Sequence, residues 1–119
     1  MANDLFQLTE DGPIRVVALS LPSSIDSSEF DRLNESVLEA LAKEPGARWV
    51  LDLSRVAYMG SAVLGLMVNI RQVVLKAQGK LVLCGMNERL VRIFETCCME
   101  RLFTIVTGRA EAVRVASRR

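Results

Sequence analysis

Histidine is missing from this sequence altogether. That removes the commonest general base near neutral pH and the commonest protein ligand for a transition metal. Cysteine is scarce. Cys84, Cys97 and Cys98 offer no CxxC spacing and no even-numbered disulfide framework. They are expected as reduced, half-buried packing residues of a cytosolic protein. Aromatic residues make up only 5% of the chain, too few for a base-stacking platform. No sign of charge prevails either: the net charge is +1, so no global field draws in nucleic acid or an anionic membrane. The longest apolar stretch, around Ala62 to Val68, falls far short of the ~20 residues that span a bilayer. The opening "MANDLFQLTEDG" is mixed and acidic, unlike a secretory leader. A cytoplasmic location is the expectation that follows.

Half of the 119 residues are hydrophobic, enough for one continuous core. One domain over 1–119 is expected, with 1–5 and 116–119 as frayed ends. Apolar runs and breakers set the order of elements. "IRVVALSL" (14–21) reads as a strand after the turn signal "EDGP", with "DLFQL" as a short hairpin partner. Asp26 or Ser27 can cap a helix in which Phe30, Leu33, Val37, Leu38 and Leu41 recur at helical spacing, until Pro45 and Gly46 end it. "RWVLDLS" (48–54) is a buried strand interrupted by Asp52. Residues 61–78 are a helix, apolar nearly all round at its start and stopped at Gly79. A strand at 80–85, a helix at 87–98 capped by Asn87, a strand "LFTIV" and a helix opened by Thr107 or Gly108 complete the chain. The order β-β-α-β-α-β-α-β-α predicts an α/β fold: a mixed, largely parallel sheet of four to five strands with four helices.

Ligands of open α/β sheets bind beyond the carboxyl ends of the strands. "SRVAYMGS" (54–61) lies there, between strand and helix. Ser61 is placed to cap the helix through its Oγ, a contribution of about 1 kcal/mol. As a nucleophile it has no His, no Ser-x-x-Lys partner (residue 64 is Leu) and no Gly-x-Ser-x-Gly elbow. Nor is there a phosphate-cradling loop ending in Gly-Lys-Ser/Thr. Asp52 reads as a structural acid that bonds loop amides. Nothing forms a paired-carboxylate site or a metal cluster, so neither catalysis nor a metal or cofactor is expected. What remains is chemistry done to the chain. A phosphoryl group on Ser61 would add about −1.5 to −2 charges where helix N–H groups accommodate an anion.

Three stretches, "VLDLS", "MGSAVLGLM" and "KLVLCGMNERLVRIFE", resemble the STAS domain of bacterial anti-sigma factor antagonists, and the similarity runs from about residue 14 to 115. The resemblance implies the STAS fold and partner switching. The unphosphorylated antagonist binds an anti-sigma factor that is also a serine kinase of the histidine-kinase-like ATPase fold. Phosphorylation releases it, and a serine phosphatase resets it. Ser61 matches the serine that the family phosphorylates, Asp52 the acid in the strand before it, and Leu64 and Gly65 the motif's Leu-Gly. Gly60 stands where the family usually has Asp, Ala62 where it often has Ser or Thr, and Val63 where it usually has Gly. Losing that Asp removes a charge beside the acceptor, and Val63 adds a branched side chain where a surface would approach.

The partner-binding residues expected from this geometry are Ser24, Asp26, Tyr58, Met59, Gly60, Ser61, Ala62 and Leu64. The protein is expected as a monomer or weak dimer that inserts in no membrane. The alternative is a STAS scaffold or binding module of another signalling or transport complex, in which Ser61 only caps its helix. A small enzyme or nucleotide-binding protein is a distant third.

Overall fold

In the computed structural model, which describes residues 5–118, the chain begins with a hairpin. Strand β1 (Phe6–Asp11) runs antiparallel to β2 (Ile14–Leu21), turning at Gly12 and Pro13. Strands β3 (Arg48–Val56), β4 (Lys80–Cys84) and β5 (Thr104–Ile105) then add in parallel, giving one mixed sheet in the order β1-β2-β3-β4-β5. Each parallel step is bridged by a helix: α1 (Ser27–Ala42), α2 (Ser61–Lys76) and α3 (Glu88–Thr96). The last helix, α4 (Arg109–Ser117), follows β5. Five strands and four helices among the described residues make the α/β architecture that the order of elements predicts.

The two faces of the sheet are covered unequally. Leu33, Val37 and Leu41 of α1, Leu66, Met67 and Ile70 of α2, and Leu90 and Phe94 of α3 share one core with Trp49, Leu51 and Leu53 of β3. On the other face α4 alone lies over Ile14, Val16, Val50, Val82 and Cys84, through Ala112 and Ala116. Two alanines let that helix sit close to the strands. Lys80 Nζ and Arg48 Nη1 bond the last carbonyls of α4, at 2.8 Å to Val115 and Ala116 respectively. Basic groups at a helix C-terminus favour its dipole. Arg15 of β2 pairs with both Glu10 and Glu44, tying the hairpin to the end of α1.

Several boundaries differ from the sequence expectation, each for a local reason. Strand β3 runs two residues further, to Val56, and the last strand shrinks to two residues because Met99 to Leu102 form a turn. Gln78, not Gly79, takes the left-handed conformation that ends α2 (φ 63°). The N–H groups of Gln78 and Gly79 bond the carbonyls of Leu75 and Val74, a Schellman closure. Gly79 is needed for space: a Cβ there would meet the Ala47 carbonyl oxygen at 2.4 Å. Cys98 makes the same closure after α3, bonding Glu95 while Met99 bonds Phe94. Cys97 and Cys98 are therefore exposed at a helix end, and only Cys84 is a packing residue. Of the expected frayed ends, 1–4 and 119 lie outside the described residues, while Ala116 is fully buried inside α4.

Candidate functional site

The loop from β3 to α2 is shaped before it begins. Asp52 pairs with Ala18 of β2, but the next matched pair is Arg55 with Ser20. One extra residue sits in β3, a β-bulge. The bulge takes the Ser54 N–H out of the ladder, and Asp52 Oδ1 accepts it at 2.9 Å. Asp52 Oδ2 takes Nε and Nη2 of Arg109, at 2.9 and 2.7 Å. Asp52 is buried, and burial pushes its carboxyl up. Hydrogen bonds from Ser54, then the bond and charge of Arg109, outweigh that and hold it below the usual 3.8. The nearby Cys84 thiol is raised to about 11, first by burial and then by the charge of Asp52, against a smaller opposing effect of Arg109. It is an inert thiol at neutral pH.

Beyond the bulge, Val56 and Met59 turn into the three-helix core and Tyr58 turns out. Met59 is 2% exposed, so it anchors the loop and is not available as a surface contact. The N-terminal turn of α3 supports the loop from the side. Asn87 Oδ1 caps α3 through the Leu90 N–H at 2.8 Å, while its Nδ2 donates to the carbonyls of Val56 and Ala57 at 3.4 and 3.2 Å. The Arg89 guanidinium lies 5.1 Å from the centre of the Tyr58 ring, within cation–π range.

Gly60 is the N-cap of α2 and Ser61 its first helical residue, with no side-chain cap bond. The expectation that Ser61 caps α2 is thus corrected: one residue past the cap, it projects from the first turn, exposed to solvent. The first N–H of α2 to find a helical partner is that of Leu64, bonded to the Gly60 carbonyl at 3.0 Å. Ser61 lines a cavity of about 530 Å³ between the β2–α1 loop and the start of α2. Ser24, Ile25, Asp26, Phe30 and Asp31 line one wall; Tyr58, Gly60, Ala62 and Val63 line the other. The charged residues among its lining are Asp26 and Asp31. Val63 is 7% exposed and joins the main core, so it fills the cavity floor and does not crowd the approach. Leu64 lies beyond the lining, half buried against the core.

The geometry therefore gathers Ser24, Asp26, Tyr58, Gly60, Ser61 and Ala62 around one open groove. A family model, the STAS domain, matches residues 6–112 of the chain. The chain belongs to the STAS domain family. This STAS domain is 28% identical over 106 residues to BtrV of Bordetella bronchiseptica, covering 89% of this chain and 90% of that one. It is 32% identical over 79 residues to the anti-sigma-B factor antagonist of Listeria monocytogenes, covering 66% and 68%. Among solved structures, an anti-sigma-factor antagonist (STAS) domain protein from Planctomyces limnophilus superposes with a TM-score of 0.83. That match is at 17% identity, over 95% of this chain and 98% of that one, and it shows the shared fold.

Three supports of the STAS site escape the sequence reading. Asn87 is legible as a cap, but its second role, on the loop carbonyls, needs the fold. Arg89 gives no signal. Arg109 gives one: a basic residue in the first turn of a helix works against the dipole, which calls for an acid partner elsewhere.

Proposed function

We propose that this STAS domain is an anti-sigma factor antagonist acting by partner switching. In its unphosphorylated form it binds a serine-kinase anti-sigma factor of the histidine-kinase-like ATPase fold, and phosphorylation of Ser61 releases it. The observation that carries the reading is the position of Ser61, exposed on the open first turn of α2 at the mouth of a groove. Kinship with the Listeria antagonist supplies the partner class. A phosphoryl group there would stand beside Asp26 and Asp31, so the groove would change from mildly to strongly anionic with little need for the backbone to move. The hydroxyl acts as an acceptor, not a nucleophile toward substrates, and the domain works by binding. No helix among the described residues is long and apolar enough to cross a membrane. A soluble, cytoplasmic setting, a monomer or weak dimer, and a resetting serine phosphatase belong to the same proposal.

The test is incubation with the anti-sigma factor kinase and ATP, followed by intact-mass measurement. A gain of one phosphate that disappears in Ser61→Ala is expected, together with loss of partner capture by Ser61→Asp. A gain that survives Ser61→Ala overturns the assignment of the residue. Undiminished capture by Ser61→Asp favours the constitutive binding module, to which Gly60 lends some support by leaving no acid next to the acceptor in sequence.

A further inference from the structure

We infer that Arg109 is a positioning residue for Ser61, acting through Asp52 on the bulge of β3. An extra residue in a strand can slip along it, because the ladder no longer fixes the register on both sides. Here the slip is opposed by one side chain, Asp52, whose Oδ1 holds the Ser54 N–H at 2.9 Å. That carboxylate is itself held: Oδ2 receives two N–H groups of Arg109, at 2.9 and 2.7 Å. A carboxylate fixed on both oxygens in a buried site cannot rotate away from Ser54.

Two further contacts close the clamp. Gly85, at the end of β4 with φ 79°, presses against the bulge so tightly that a Cβ there would stand 2.8 Å from the Ser54 nitrogen and 2.9 Å from Asp52 Oδ1. Its own N–H bonds the Thr107 carbonyl at 3.0 Å, two residues before Arg109. The ends of β3 and β4 and the start of α4 thus meet at one point, on the face of the sheet opposite α1 and α2. From there the chain has only Arg55 to Gly60 to cross before Ser61, with Val56 and Met59 as fixed plugs in the other core. A change of register at Ser54 would move both plugs and the first turn of α2.

The significance of this clamp for partner switching rests on the assignment of Ser61 proposed above, but its test needs no partner. Failure of the kinase experiment and failure of this one are therefore separate results. Amide hydrogen exchange is measured by NMR on the full chain, with rates taken relative to the central core amides of Val50 and Leu83 so that a uniform loss of stability cancels. The reporter is the Leu64 N–H, whose bond to Gly60 closes the first turn of α2. Arg109→Gln is expected to speed relative exchange at Ser54 and Leu64 at least tenfold, and Arg109→Lys to give an intermediate rate. If only Ala112, whose N–H bonds Gly108 in α4, exchanges faster while Leu64 is unmoved, Arg109 merely anchors α4 and the inference is wrong. Equal rates for the Lys and Gln variants also overturn it. Should Arg109→Gln fail to fold, Asp52→Asn is read by the same Leu64 criterion.

Discussion

Two helices open onto the same groove, and their first turns are built in opposite ways. At α1, Asp26 accepts the Glu29 N–H at 2.7 Å while the Glu29 side chain accepts the Asp26 N–H at 3.1 Å, a reciprocal capping box. At α2, Gly60 supplies no side chain and Ser61 stands past the point where a hydroxyl would cap. Both helices have 16 residues and both face the same core, so length and packing do not explain the difference. The closed turn serves the fold. The open turn leaves N–H groups and a hydroxyl facing outward, at some cost in helix stability, an arrangement that suits the phosphorylation proposed for Ser61.

That contrast can be broken most strongly at α1. Asp26→Ala removes the side-chain half of the capping box, the acceptor of the Glu29 N–H, and leaves the backbone N–H of residue 26 to Glu29; a loss of about 1 kcal/mol is expected in denaturant unfolding. A loss near zero would mean that the box adds nothing to what packing already holds. Converting α2 toward the α1 pattern is the next step. Gly60→Asp places an acid at the N-cap in backbone that is already extended (φ −84°, ψ −179°). It is expected to stabilise the fold by roughly 0.5 kcal/mol, since Gly is only a few tenths worse than the best caps and the dipole adds a little. The smallest effect is the sharpest test of where Ser61 lies. Ser61→Ala should shift stability by less than about 0.5 kcal/mol, against the ~1 kcal/mol expected for loss of a capping serine. A full unit of destabilisation in that variant would restore Ser61 to the cap.

The sequence made α1 legible to within one residue of its cap, Asp26 or Ser27, because capping is a local pattern: Asp26 and Glu29 are three residues apart and need nothing from the rest of the chain. The order of elements was legible for the same reason, since Pro45, Gly46 and the apolar runs act where they stand. The end of α2 was nearly so. Gly79 was visible as a stop, but its reason is a long-range one, the Ala47 carbonyl 2.4 Å from where a Cβ would be. Met59 shows the limit from the other side. Between Tyr58 and Gly60 it looks like a loop residue, and only the strand and bulge about five residues earlier aim it inward. Asn87, Arg89 and Arg109 contact the site across 30 to 57 residues of sequence, from elements whose place beside the loop no local pattern reveals. What the sequence hid was therefore not the groove but the struts behind it.

The bulge also imposes a rule of counting. Before it, odd-numbered residues of β3 (Trp49, Leu51, Leu53) point toward the three-helix side; after it, Val56 does. Parity is reversed within three residues, and it reverses once more in the connection past the strand, where Tyr58 turns out and Met59 in. Deleting Ser54 would let Val56 follow Leu53 in plain alternation with the register to Ser20 and Leu21 kept, but it would leave Asp52 Oδ1 without the N–H that it accepts.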